Sequence, residues 1–242
     1  IKAVGNAHLQ VLHRFMTSLE YVCNADQVWA DRHLLRPLRE SRPEEEEIWD
    51  AIARNPVLRP KTMQMIGKRM AEVAHSSRLP DETRGHLAER VVFRVLLDRM
   101  DGKALSVKKT EVQQMLRLST DLTRAACGRI LGNFVERIKD DKKSPENRFR
   151  NVVRPFINEV WPKERSLCSR SLSNALADLP VKCEGVFAEA VDAIERLLTP
   201  FDCWSLWEYG LYKGDVNEKE IRPISGKKQA ASLLKLLDLT IG

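Results

Sequence analysis

Apolar residues recur along this chain at three- and four-residue steps, the spacing of one buried helix face. From Asn6, the positions Leu9, Leu12, Phe15, Met16, Leu19 and Val22 form such a stripe. Val28, Trp29 and Leu35 start a second, which should falter at Pro37. Ser41-Arg42-Pro43 followed by four glutamates offers a cap, a first-turn proline and negative charge at the positive helix end, before Ile48, Trp49 and Ile52. Met63, Ile66, Met70 and Val73 follow Pro60, and Leu87, Val91, Val95 and Leu96 follow Pro80-Asp81-Glu82 up to the Asp101-Gly102 stop.

The second half continues in the same way. Helices are predicted around Val112 to Leu116 and Leu122 to Ile138, and from Ser144-Pro145 onward, with Pro155 expected to kink or split the last. Ser169 caps a stripe of Leu172, Leu176 and Leu179 that ends at Pro180, and Val186 to Leu197 reads as the clearest amphipathic run. Lys213 to Lys228 reads as a polar loop before a leucine-rich final helix. No segment alternates as a half-buried strand would. About a dozen short helices with short connections exceed one four-helix bundle, so the expected fold is all-α, an irregular α-solenoid or HEAT-like stack. No fixed period of thirty to fifty residues is present. The organisation expected is one helical domain over 1–242 with a sub-boundary near 102–110. Because the chain opens on Ile1 with no leader, it reads as a fragment of a longer chain or a subunit of a complex.

Composition narrows the class. With 43% hydrophobic and 31% charged residues the chain can bury a core, and 11 Gly and 11 Pro are few for an all-β fold. No apolar run approaches the length of a membrane span. Five widely spaced cysteines without a Cys-x-x-Cys pair fit neither a disulfide framework nor a zinc site, and point to a reducing, cytoplasmic setting. Gly226-Lys227-Lys228 lacks the other elements of a phosphate loop, and neither a Gly-x-Ser-x-Gly elbow nor a His-Glu-x-x-His pair occurs. No metal, cofactor or small-molecule substrate is expected. His8, His13, His33, His75 and His86 show no ligand spacing.

Two constellations are candidate chemistry. Arg69 and His75 have the Arg-to-His spacing used by some all-helical, HEPN-like ribonucleases, although random placement of Arg and His produces a match of this kind about as often. The second is charge. From Lys103 to Arg154 there are thirteen basic and six acidic residues, a surplus of seven in a chain whose net charge is +6. Lys108, Lys109, Arg117, Arg124, Arg129, Arg137, Lys142, Lys143, Arg148, Arg150 and Arg154 would attract nucleic-acid phosphates if they converged on one face. Trp161, Trp204 and Trp207 sit at element ends, where packing is the expected role.

Residues 91–212 also resemble the helical regions of large bacterial anti-phage defence proteins. The resemblance is carried by Arg154-Pro155-Phe156-Ile157-Asn158-Glu159-Val160-Trp161-Pro162-Lys163-Glu164, by Ser171-Leu172-Ser173-Asn174-Ala175-Leu176-Ala177 and by Gly185-Val186-Phe187-Ala188-Glu189-Ala190-Val191. It implies a non-catalytic recognition or scaffold module with a protein partner or a covalently linked effector domain. Nucleic-acid binding through 103–154 is the alternative, and a ribonuclease the second alternative.

Overall fold

A computed structural model describes residues 6–39, 45–54, 58–137, 144–201 and 227–241. The fold is all-α, and no strand occurs among the described residues. No helix among them is long and apolar enough to cross a membrane. The chain divides into two compact units, Ile1–Ser119 and Thr120–Gly242, so the division falls one helix beyond the 102–110 loop.

The first unit contains α1 (Asn6–Thr17), α2 (Leu19–Ala25) and α3 (Gln27–Ala30), then a π-helical turn (Asp31–Leu35) and α4 (Arg36–Arg39). It continues through α5 (Glu45–Ala53), α6 (Pro60–Val73), α7 (Asp81–Met100) and α8 (Lys109–Leu118). Leu12, Met16, Leu35, Trp49, Ile66, Met70, Leu87 and Val91 are buried, as their periodicity requires. α7 stops where expected, with Gly102 in the left-handed region at φ +64°. Behind that stop lies a polar anchor. The Asp98 carboxylate, fully buried, pairs with the Arg94 guanidinium at 2.8 Å and accepts the Ser106 backbone N–H at 2.7 Å, tying the loop to the helix that precedes it. α8 docks on α6, where a Cβ on Gly67 would meet Val107 Cγ2 at 2.5 Å.

The second unit contains α9 (Asp121–Arg137), α10 (Pro145–Arg148), a second π-helical turn (Phe149–Val153) and α11 (Arg154–Glu159). A 3-10 turn (Arg165–Leu167), α12 (Arg170–Ala177) and α13 (Leu179–Lys182) follow. Next, α14 (Phe187–Ile194) lies between 3-10 turns at Glu184–Val186 and Glu195–Leu197, and α15 (Lys227–Ile241) completes the unit. Phe134, Phe149, Phe156, Leu176, Val191 and Ile194 are buried, and Trp161 seals a corner edge-on to Phe156, which is the packing role expected of it. Trp204 and Trp207 lie outside the described residues. α15 runs parallel to α14: Lys235 bonds Asp192 at 2.9 Å and Glu195 at 2.7 Å, while the Phe201 N–H donates to the Thr240 carbonyl at 2.9 Å.

Two prolines behave alike. Pro37 and Pro155 were expected to interrupt their helices, and each follows directly on a π-helical turn. The Arg36 N–H bonds the Asp31 carbonyl and the Arg154 N–H bonds the Phe149 carbonyl, five residues back in each case. At Pro155 the wider turn gives the proline ring room where an α-helical carbonyl four residues back would clash.

Among the described residues this likeness reaches further elements of the two units. At an offset of 118 residues, α3, π turn and the start of α4 align with α10, π turn and α11. The Asp26 side chain accepts from the Trp29 N–H, and the Ser144 side chain accepts from the Asn147 N–H, so the caps align as well. Arg32-His33-Leu34-Leu35-Arg36-Pro37-Leu38 thereby corresponds in sequence to Arg150-Asn151-Val152-Val153-Arg154-Pro155-Phe156. At an offset of 124, α6 coincides with the helical run from Glu184 to Leu197. Buried residues then pair as Ile48 with Leu172, Ile52 with Leu176, Met63 with Phe187, Met70 with Ile194, Val112 with Leu236 and Leu116 with Thr240. Packing partners agree too: α1 on α5, α4 on α6 and α6 on α8 match α9 on α12, α11 on α14 and α14 on α15.

Asp98→Ala removes the carboxylate and leaves Arg94 buried without its counter-charge. Urea unfolding should show a loss of about 3–5 kcal/mol, against well under 1 kcal/mol for an exposed control such as Asp101→Ala.

Candidate functional site

Arg69 lies on α6 and His75 just beyond its end. The Arg69 guanidinium is engaged by Glu72 at 3.2 Å, and Lys68 lies 3.9 Å from the other Glu72 oxygen. His75 borders a groove of about 230 Å³ between α6 and α8, with Lys68, Glu72, Thr110, Glu111 and Gln114. Burial holds the imidazole below its ordinary pKa. Arg69 does not line that groove, so the structure directs the two side chains to different neighbours.

The basic candidates are divided between the units. Lys108, Lys109 and Arg117 are exposed at the two ends of α8 in the first unit, with the Lys108 N–H capped by the Glu111 carboxylate at 3.0 Å. Arg129, Arg150 and Arg154 are exposed in the second. Arg124 and Arg148 are turned inward: Arg124 pairs with Asp121, and Arg148 donates to the Val135 carbonyl at 2.7 Å while 4% exposed. These two cations serve the interior, where a cation survives only with such partners, and are withdrawn from any surface footprint. The Arg137 side chain, Lys142 and Lys143 lie outside the described residues.

Arg150 and Arg154 converge on one acid. Arg150 Nε donates to both Glu189 oxygens at 3.1 and 3.2 Å, and Arg154 Nη1 to Glu189 Oε2 at 3.0 Å. The Arg150 hydrogen bond, with the charges of Arg154 and Lys228, holds the Glu189 carboxyl below the usual range. Nearby Glu146 is also lowered, first by the Ser144 hydroxyl, and accepts the Gly185 N–H at 3.3 Å. Here charge is balanced within the unit.

The equivalent place in the first unit is an open groove of about 560 Å³ lined by Gln27, Val28, Asp31, Arg32, Arg36 and Met65. Gln27 Nε2 approaches Met65 Sδ at 3.8 Å, and Arg32 and Arg36 are exposed. Val28 in this groove and Tyr21, one helix earlier, are 71% and 76% exposed. Neither arginine was singled out by charge counting, because both lie outside the basic 103–154 stretch. The signal that could have found them is the twice-occurring Arg-x-x-x-Arg-Pro, with two aliphatic residues before the second arginine. A shallower groove of about 330 Å³ runs along α15 past Leu234, Leu237 and Ile241.

Cys127 and Cys183 are buried, and burial pushes the Cys183 thiol far up, away from the reactive thiolate. Among the described residues no three His, Cys, Asp or Glu side chains group as metal ligands. Comparison with protein-family models, with curated proteins and with solved structures finds no match.

The lowered Glu189 carboxyl has a pH consequence. Its stabilisation is complete above the unfolded value, roughly pH 4.3, and is lost as pH falls through the lower folded value. The unfolding midpoint of the parent should exceed that of Glu189→Gln at neutral pH, and acid titration should shrink that difference progressively.

Proposed function

We propose that this chain is a non-catalytic helical recognition or scaffold module that binds protein in a multi-component bacterial system. In this reading it works as the helical, solenoid-like regions of anti-phage defence proteins do, in the cytoplasm. The observation that supports it is how the charged and apolar side chains are distributed. Arg124, Arg148, Arg150, Arg154 and Arg69 are taken up by partners within their own units. What faces outward in charged grooves is apolar, Val28 in the first unit and Leu234 and Ile241 in the second, and Tyr21 on the helix before Val28 is exposed as well. Large apolar side chains next to polar rims suit protein contacts, whereas a phosphate-binding face needs unengaged cations in a row.

Co-expression with the products of adjacent genes tests this reading. One product should co-elute with the chain, and Tyr21→Ser with Val28→Ser should release it without lowering the unfolding midpoint. Binding of duplex or single-stranded nucleic acid instead, with a log–log salt slope of about −0.7 to −0.9 per phosphate contact, would favour the basic-segment alternative.

A further inference from the structure

Between α7 and α8 the chain reverses over three polar side chains. Gly102 makes the turn, and the Lys103 N–H bonds the Asp98 carbonyl at 2.9 Å. Arg94 and Asp98 lie one helical turn apart on α7, and Ser106 meets them from the returning chain through its N–H on Asp98 Oδ2 at 2.7 Å. All three are interior residues, exposed by 7%, 0% and 9% in that order.

Each keeps one buried polar atom that has no hydrogen-bond partner among the described residues: Arg94 Nε, Asp98 Oδ1 and Ser106 Oγ. The contact of Arg94 Nη2 with Asp98 Oδ1 at 2.8 Å is an ion pair and not an aligned hydrogen bond. A buried polar atom left unmet costs the full desolvation of its group, so the interior of a folded protein rarely keeps one. A single such atom can be met by a small rotation of its own side chain. Three of them, joined through one ion pair and one hydrogen bond, call for a shared partner.

The chemistry of that partner is narrow. Arg94 Nε only donates, Asp98 Oδ1 only accepts, and the Ser106 hydroxyl does either. Arg94 and Asp98 already offset each other's charge, so an added ion of either sign would meet a like charge in the interior. We infer that one internal water molecule binds here, accepting from Arg94 Nε, donating to Asp98 Oδ1 and bonding to the Ser106 hydroxyl. Three polar partners are the usual complement of a buried water. The water bridges helix and loop, and its effect reaches the next residue: Val107 packs so closely on α6 that a Cβ on Gly67 would meet its Cγ2 at 2.5 Å. The bridged anchor therefore sets how α8 seats on α6. This site stands apart from the recognition reading and does not depend on it.

A crystal structure of the full chain, at a resolution that shows ordered water, tests the assignment. It should place one water within about 3.2 Å of both Arg94 Nε and Ser106 Oγ. Magnetic relaxation dispersion of water oxygen, which counts long-lived internal molecules, gives the solution readout. Ser106→Val puts a methyl group where the water would sit and offers it no hydrogen bond, so this variant should hold one such molecule fewer than the parent. The parent crystal decides the matter if Ser106→Val does not fold. A map without density joining Arg94 Nε to Ser106 Oγ, a Ser106 hydroxyl turned directly onto the Asp98 carboxylate, or an unchanged count in a folded Ser106→Val overturns the assignment.

Discussion

A proline inside a helix removes one backbone donor and drives its ring toward the carbonyl four residues back. Everything at the Arg-Pro junctions of this protein follows from how that conflict is resolved. Stepping to a hydrogen bond five residues back relieves the clash at Pro155, and the same backbone bond stands before Pro37. The extra residue in the turn changes which side chains point outward. Leu34 and Leu35, like Val152 and Val153, stay in the core, and the arginines on either side of them come out together. A regular helix broken at the proline would lose the second arginine of each pair to a loop.

The same frame then yields two different outcomes because neighbouring positions differ, Met65 against Glu189 and Val28 against Glu146. Where the adjacent helix carries Glu189, the pair of guanidiniums closes on it and the surface is neutralised locally. Where that helix carries Met65, the guanidiniums edge a cavity with an apolar floor. One module therefore has its pair of guanidiniums saturated by its own residue. In the other, Met65 stands at that position and the two arginines border an open groove.

Most of the helices could be read from the sequence because their signals are local. Apolar spacing placed α6, α7 and α9, Ser144 and Ser169 capped helices as expected, and Gly102 ended one. At Pro37 and Pro155 the α-helical ladder is interrupted, as proline rules require, but the form of the interruption, a π turn, is not written in the local sequence. Charge counting along the chain gathered Arg124 and Arg148 with surface residues, since linear density carries no information about which way a side chain turns. The doubling escaped a search at thirty to fifty residues. Its period is about 120, it slips by six residues between offsets of 118 and 124, and its core pairs conserve burial more than identity, as in Met63 with Phe187. Arg32 and Arg36 went unnoticed with it, for the meaning of that pair depends on Arg150 and Arg154.

Two like modules on one polypeptide risk exchanging pieces as they fold, the characteristic error of tandem arrays. The last helix of each is the piece most easily misplaced, since both dock on the same kind of neighbour. Their charges are opposed in a way that guards against it. α15 brings Lys235 to Asp192 and Glu195, whereas α8 brings Glu111 to a groove it shares with Lys68. Lodged on the wrong host, Lys235 would confront Lys68 and Glu111 would confront Asp192. A terminal helix on the wrong host would thus lose the ion pairs Lys235 makes with Asp192 and Glu195, so sign favours the native pairing.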